Sequence, residues 1–221
     1  MWEFFQKGGP AMWPLLILSI VALAVIVERL MVLLSARTDV EAFMARVENA
    51  LIADRYDEAV TVAREGGGVM GRILLAGLEK MHKGRLEVER AIETRGNIEV
   101  SRLEKGLSLL QAVAKTAPLI GFFGTVAGMI GSFEAMGQAG ASGDPAQVAL
   151  GISQALITTA GGLAVAIPVF FCHSLFVGKV NRFVMELEES SVRLLDALEV
   201  AEAKQAERLS LSEIGGEYLE I

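Results

Sequence analysis

Three stretches of this 221-residue chain contain no Asp, Glu, Lys or Arg: Gly8 to Val27, Thr116 to Phe133 and Pro145 to Gly178. Crossing about 30 Å of hydrocarbon takes roughly 20 mostly apolar residues, and each stretch, with its apolar margins, meets that requirement. The chain also carries 20 basic and 27 acidic residues, nearly all between or after these windows. A purely soluble fold is therefore excluded. The expected class is an all-α membrane protein with three transmembrane helices and long helices extending outside the bilayer.

The segments follow from where the charges resume. A stub at 1–12 precedes the first span at 13–34, in which Glu28 and Arg29 stand near the end, where long side chains are expected to reach the interface. Lys7 is the sole charge ahead of the apolar run apart from Glu3, and no A-x-A cleavage site follows, so the segment reads as a retained anchor rather than a signal peptide. A helical region at 35–106 leads to the second span at 107–136, a loop at 137–146 and the third span at 147–178. A helix at 179–209 and an acidic tail at 210–221, expected to fray, complete the chain. Twelve Lys or Arg lie between Ser35 and Gly106 and five follow Gly178, whereas the stub has only Lys7 and the 137–146 loop has none. The positive-inside bias puts the N-terminus outside and the C-terminus in the cytosol.

The charged regions carry helical periodicity. Val40, Phe43, Met44, Val47 and Leu51 recur at three- and four-residue spacing, and Ala59, Val62 and Ala63 continue the pattern. Beyond Gly66-Gly67-Gly68, residues 73–110 read as one long helix running into the second span. Val180, Phe183, Leu187, Leu194 and Leu198 form another apolar stripe, suited to packing on the earlier helices or on a neighbouring subunit.

Composition removes several functions. A net charge of −7 opposes nucleic-acid binding, which needs a basic face to displace counterions from phosphate. One cysteine, Cys172, and two distant histidines, His82 and His173, give neither a disulfide framework nor a metal motif. Gly66 to Ile73 has the glycine spacing of a phosphate-binding loop, but places Arg72 and Ile73 where Lys and Ser or Thr are required. A break between helices is the better reading. With no nucleophile–base pair visible, an enzyme is not expected, and no cofactor is implied.

The second and third spans differ from the first. Gly121, Gly124 and Gly128 on one, with Gly161 and Gly162 on the other, suit close helix packing, and Gly124 to Gly128 is a GxxxG. Thr125, Gln154, Thr158 and Thr159 are the polar residues that matter most. Gln154 has no partner in lipid, and if Thr125, Gln154 and Thr159 share a surface, it is a polar groove or pore. Proton relays through membranes normally use Asp, Glu or His. The deep parts of these spans have no carboxylate: Glu134 falls at the outer margin, with Lys115 and His173 toward the inner one. A titrating group on any ion path lined by these helices must come from another chain.

The run Ala117-Pro118-Leu119-Ile120-Gly121-Phe122-Phe123-Gly124-Thr125-Val126-Ala127-Gly128-Met129-Ile130 resembles the second-span signature of the ExbB/TolQ/MotA proton-channel family. The run from Gly151 through Ser153-Gln154-Ala155-Leu156-Ile157-Thr158-Thr159 to Gly161-Gly162 and Pro168 resembles its third-span signature. Gly8 to Leu15 and Val27-Glu28-Arg29-Leu30 also look like ExbB, so the resemblance covers about 2–178. It implies a homopentamer in the bacterial inner membrane whose second and third spans surround the helices of two one-span, ExbD-like subunits. Each such partner bears an Asp in the membrane, and the output passes to a TonB-like protein that energises outer-membrane transport. Thr125 and Thr159 match the family's pore threonines, while Gln154 stands where many members have Glu, which removes a titratable group. A TolQ-like subunit, a stator of gliding or surface motility and a non-conducting scaffold remain the alternative readings.

Overall fold

Among the described residues of the computed structural model are eight α-helices, in which three long stretches, within Met12–Leu33, Arg85–Gln138 and Pro145–Glu207, are apolar enough to cross a membrane. The structure describes residues 2–35, 39–66, 68–139 and 145–217, and no strand occurs among them. The chain divides into two units, one of residues 1–31 and 104–178, the other of residues 32–103 and 179–221.

The first unit contains α1 (Trp2–Lys7), α2 (Met12–Ser35) as far as Met31, α7 (Leu107–Ala139) and α8 (Pro145–Glu217) as far as Gly178. Gly9 breaks α1 from α2 by adopting φ +70°, a left-handed conformation that costs glycine little. The Met12 and Trp13 amides then donate to the Gly9 and Pro10 carbonyls at 3.1 and 3.2 Å, and the Trp13 ring meets Phe5 edge-on. Leu15, Ala117 and Ala166, one residue from each long helix, form the buried centre, with Met12, Ile120 and Val165 around them. Other faces stay apolar and open: Ile17, Ile20 and Leu23 on α2, Leu119, Phe122 and Phe123 on α7, and Ile167, Phe170 and Phe171 on α8. Exposed apolar surface of this extent is suited to lipid or to other membrane helices.

Arg29, near the end of the first span, is 4% exposed, with Nη2 donating to Glu28 at 2.5 Å. Its guanidinium lies beside the Gly106 turn, whose φ of +83° favours glycine and where a Cβ would stand 3.1 Å from Val25.

The second unit is built from α3 (Val40–Ile52), α4 (Tyr56–Gly66), α5 (Gly68–Leu78), a 3-10 turn at Met81–Lys83, α6 (Arg85–Glu104) and the remainder of α8. Asp39 caps α3 by accepting from the Ala42 amide at 3.2 Å. The apolar periodicity marks the core: Phe43, Met44, Val47, Leu51, Ala59, Val62 and Ala63 are buried together with Ile73, Leu74, Ile92, Leu187, Leu194 and Leu198. The stripe on α8 thus packs within this chain, where Arg193 also grips Glu48 of α3 through Nε at 2.6 Å and Nη2 at 3.0 Å.

The single helix expected over 73–110 is interrupted twice. Gly84, at φ +87°, closes the turn after α5, and Gly106 separates α6 from α7. Gly77 then lies so close to α6 that a Cβ would come within 2.7 Å of Ile92. The glycine-rich run at 66–73 spans the α4–α5 break, with Gly67 outside the described residues, and Gly71 packs against the Ala63 carbonyl. Helix α8 continues to Glu217, so the tail expected to fray is helical to that point, and 218–221 lie outside the described residues.

Glu99 is the most buried charge of this unit, 2% exposed, and three arginines surround it. Arg72 of α5 binds both oxygens, from Nε at 3.3 Å and from Nη2 at 3.0 Å, while Arg95 and Arg102 reach Oε1 at 2.7 and 3.2 Å. The hydrogen bonds from Arg72, followed by the positive charge of Arg72, Arg95 and Arg102, hold the Glu99 carboxyl below the usual carboxylate range despite its burial. A depressed folded-state value gives stability that is present above the unfolded value, about 4.3 for Glu, and lost as pH falls through the lower folded one. Glu99→Gln should therefore lower the thermal midpoint at pH 7, and the difference from wild type should shrink as the pH is taken below about 4. Thermal unfolding in detergent between pH 7 and pH 3 measures this, and a constant difference across the range would contradict it.

Candidate functional site

Missing side chains bring α7 and α8 together in a close seam. A Cβ on Gly121 would stand 3.0 Å from the Thr158 carbonyl oxygen, and one on Gly162 would stand 2.6 Å from that of Ala117. A Cβ on Gly128 would stand 3.2 Å from that of Ala155, Gly124 abuts the Thr158 methyl, and a Cβ on Gly161 would stand 3.2 Å from the Met12 side chain of α2. Backbones this close expose the carbonyl of one helix to the side chains of the other.

Thr125 and Thr159 use those carbonyls. The Thr159 hydroxyl donates to the Gly121 carbonyl at 3.1 Å. The Thr125 hydroxyl is within reach of the same carbonyl at 3.2 Å and of Ala155 O at 3.3 Å. The two hydroxyls are also hydrogen-bonded to each other, and either can be the donor. Two protons are thus shared among two carbonyls and two hydroxyl oxygens, so several donor arrangements satisfy the same heavy-atom positions. Both side chains are half-buried. Ser132, one helical stretch further along α7, is buried and bonds back to Gly128 O at 2.9 Å.

Gln154 and the Thr158 hydroxyl, grouped with these residues on sequence grounds, face the N-terminal turn instead, although the Thr158 methyl still packs on Gly124 in the seam. Thr158 is 1% exposed, and its hydroxyl contacts the carbonyls of Gly8 at 2.8 Å and Gln154 at 2.9 Å. Gln154 rests on Gly9, where any Cβ would run into its Nε2. Helix geometry explains the division. Gln154 and Thr158, four residues apart, are about 40° apart around the axis, whereas Gln154 and Thr159, five apart, are about 140° apart. The surface supposed to unite Thr125, Gln154 and Thr159 is therefore two surfaces: a hydroxyl pair in the α7–α8 seam, and an anchor for the α1–α2 turn. The backbone partners of both, the carbonyls of Gly121, Ala155 and Gly8, carry no sequence signal beyond the glycines that let the helices approach.

The chain has relatives among known proteins. A family model described as the MotA/TolQ/ExbB proton channel family matches residues 66–189, which include both halves of the seam. A biopolymer transport protein designated ExbB-like 1, from Synechocystis sp., is 38% identical over 176 residues, covering 74% of this chain and 65% of the relative. A Tol-Pal system protein TolQ from Haemophilus influenzae is 31% identical over 178 residues, covering 74% of this chain and 76% of the relative. The biopolymer transport protein ExbB of Xanthomonas campestris pv. campestris is 41% identical over 98 residues, or 44% and 38% of the two chains. The chain thus spans just under two thirds of the Synechocystis relative and less of the Xanthomonas one. With the model match extending over more than half of its residues, this chain belongs to the MotA/TolQ/ExbB proton channel family.

Proposed function

We propose that this protein is the pore-forming subunit of an ExbB-like motor in the bacterial inner membrane, driven by the proton-motive force. The observation that carries this reading is the Thr125–Thr159 hydroxyl pair, set in a seam of two apolar helices that offers polar bonds and no carboxylate. In this reading five copies surround a pair of ExbD-like one-span subunits, with Thr125 and Thr159 along the ion path and the N-terminus on the periplasmic side. The partner's membrane Asp takes up and releases the proton, because a threonine hydroxyl orients and relays hydrogen bonds without becoming charged. Movement passes to a TonB-like protein. Gln154 and Thr158 serve a different purpose, holding the α1–α2 turn against α8. Identity to relatives named TolQ favours the Tol-type assembly as the second reading.

Reconstitution in liposomes tests the central claim. The chain co-purified with an Asp-bearing one-span partner should conduct protons down a pH gradient about tenfold or more faster than the chain alone, and Asp→Asn in the partner should abolish the difference. Stable association with no flux under any gradient would mark the complex as a scaffold instead.

The two threonines on adjacent positions should separate by phenotype. Thr159→Val keeps the side-chain volume, and the Gly121 carbonyl retains Thr125 as donor, so the stability cost should be about 1 kcal/mol or less. Flux should nevertheless fall about tenfold with assembly intact. Thr158→Val leaves the Gly8 carbonyl without its side-chain donor and should cost about 1–3 kcal/mol, seen as a lower thermal midpoint, with flux per folded complex close to wild type. Equal flux in the Thr159 variant and wild type would remove that residue from the path.

A further inference from the structure

The second unit has two unlike flanks on α6, and they are complementary. On one side α6 and the later part of α8 enclose an open groove of about 460 Å³. Buried Ile92 and Leu187 and exposed Val192 give it an apolar lining, and the exposed Glu89, Glu93 and Glu188 also line it. None of these three carboxylates forms an ion pair among the described residues, so they make an unbalanced patch of negative charge beside that apolar lining. On the other side, α5 and α6 form a shallower surface on which Lys80, Arg90 and Arg95 outnumber Glu87, with Ala91 and Ile98 between them. Arg95 also reaches Glu99, and Arg90 reaches Glu87 at 3.1 Å, which positions both guanidinium groups along this face. Glu93 and Ile98 are five residues apart on α6, about 140° around the axis, so one copy cannot bring its own two flanks together.

We infer that the acidic groove of one copy receives the basic, Ile98-bearing face of α6 from the next copy. The apolar centre of each surface is exposed, Val192 by 56% and Ile98 by 44%, and each is flanked by a surplus of charge opposite in sign to the other's. Pairing them buries apolar area on both sides and relieves the mutual repulsion of Glu89, Glu93 and Glu188. Because the two surfaces differ, the contact is heterologous: every copy offers one groove and one basic face, and repetition about an axis closes a ring. This contact rests on the proposed oligomeric assembly but goes further, assigning that assembly a charge-specific interface outside the membrane spans.

Disulfide trapping tests it in the complete chain. In a Cys172→Ser background, one tagged copy carries Val192→Cys and a second, differently tagged copy carries Ile98→Cys. Oxidation of membranes containing both should give the mixed dimer at a yield about tenfold or more above either variant alone, which is the signature of a head-to-tail contact. A chain with both cysteines should give a ladder of linked copies. Glu93→Arg or Arg90→Glu alone should reduce trapping several-fold, and the two together in one chain should restore it. Self-linked Ile98→Cys dimers as abundant as mixed ones would replace the ring contact by a two-fold one and overturn the inference. Absent trapping, with copy number by light scattering and proton flux unchanged, would overturn this interface while leaving the motor reading in place. A single-copy wild-type particle without flux would overturn both.

Discussion

Hydrocarbon provides no water to a backbone carbonyl or a hydroxyl, so every polar group in a span must be bonded inside the protein. The rest of this molecule's membrane unit follows from how that demand is met. Gly121, Gly128 and Gly162 remove the side chains that would hold α7 and α8 apart. Close approach brings the carbonyls of Gly121 and Ala155 within reach of Thr125 and Thr159. The glycines therefore do more than permit packing: they position the acceptors that allow two hydroxyls to occupy an apolar seam. Replacing the hydroxyls by methyls would leave the packing, whereas replacing the glycines would remove the hydroxyls' partners.

The second unit answers a different constraint. It has an ordinary apolar core, but its buried carboxylate is compensated by an excess of positive charge rather than by one partner. Arg72, on α5, binds Glu99 across to α6, so the α5–α6 contact is fixed by a bidentate pair as well as by the close approach of Gly77 to Ile92. Arg95 and Arg102, from the same helix as Glu99, add positive charge at an edge where it remains accessible. Charge is thus distributed with a sign on each flank of α6, a pattern that a helix serving only as a solvated spacer does not need.

Much of this was legible from residues alone, for identifiable reasons. Charge-free windows mark membrane helices because burial of an ion in hydrocarbon is so costly, and the apolar stripes of α3 and α8 mark core because helical periodicity is regular. What escaped was local and conformational. Residues 73–110 look continuous because Gly84 and Gly106 are single residues, and only their left-handed backbone turns them into breaks. The burial of Arg29 is likewise invisible in sequence, because its neighbour Gly106 lies far along the chain. Thr125, Gln154, Thr158 and Thr159 look like one set in sequence because composition ignores angle. A difference of one residue, between Thr158 and Thr159, rotates a side chain by about 100° and moves it from the N-terminal turn to the seam.

That rotation also bears on mechanism. At Gln154, an amide in place of a carboxylate sits over Gly9 and away from the Thr125–Thr159 pair, so its inability to titrate takes nothing from the seam. The seam itself has donors whose protons can be redistributed between equivalent acceptors but no group that holds a net charge near neutral pH. Such a surface can solvate a charge brought to it and release that charge again, since no fixed opposite charge retains it. On the proposed reading, in which a partner's membrane Asp moves past several copies of this chain, that is an advantage, because a carboxylate in the seam of every copy would repel the incoming ionised Asp. A wall of threonines favours passage over capture, and on the proposed reading it makes this chain the track along which the partner's carboxylate moves.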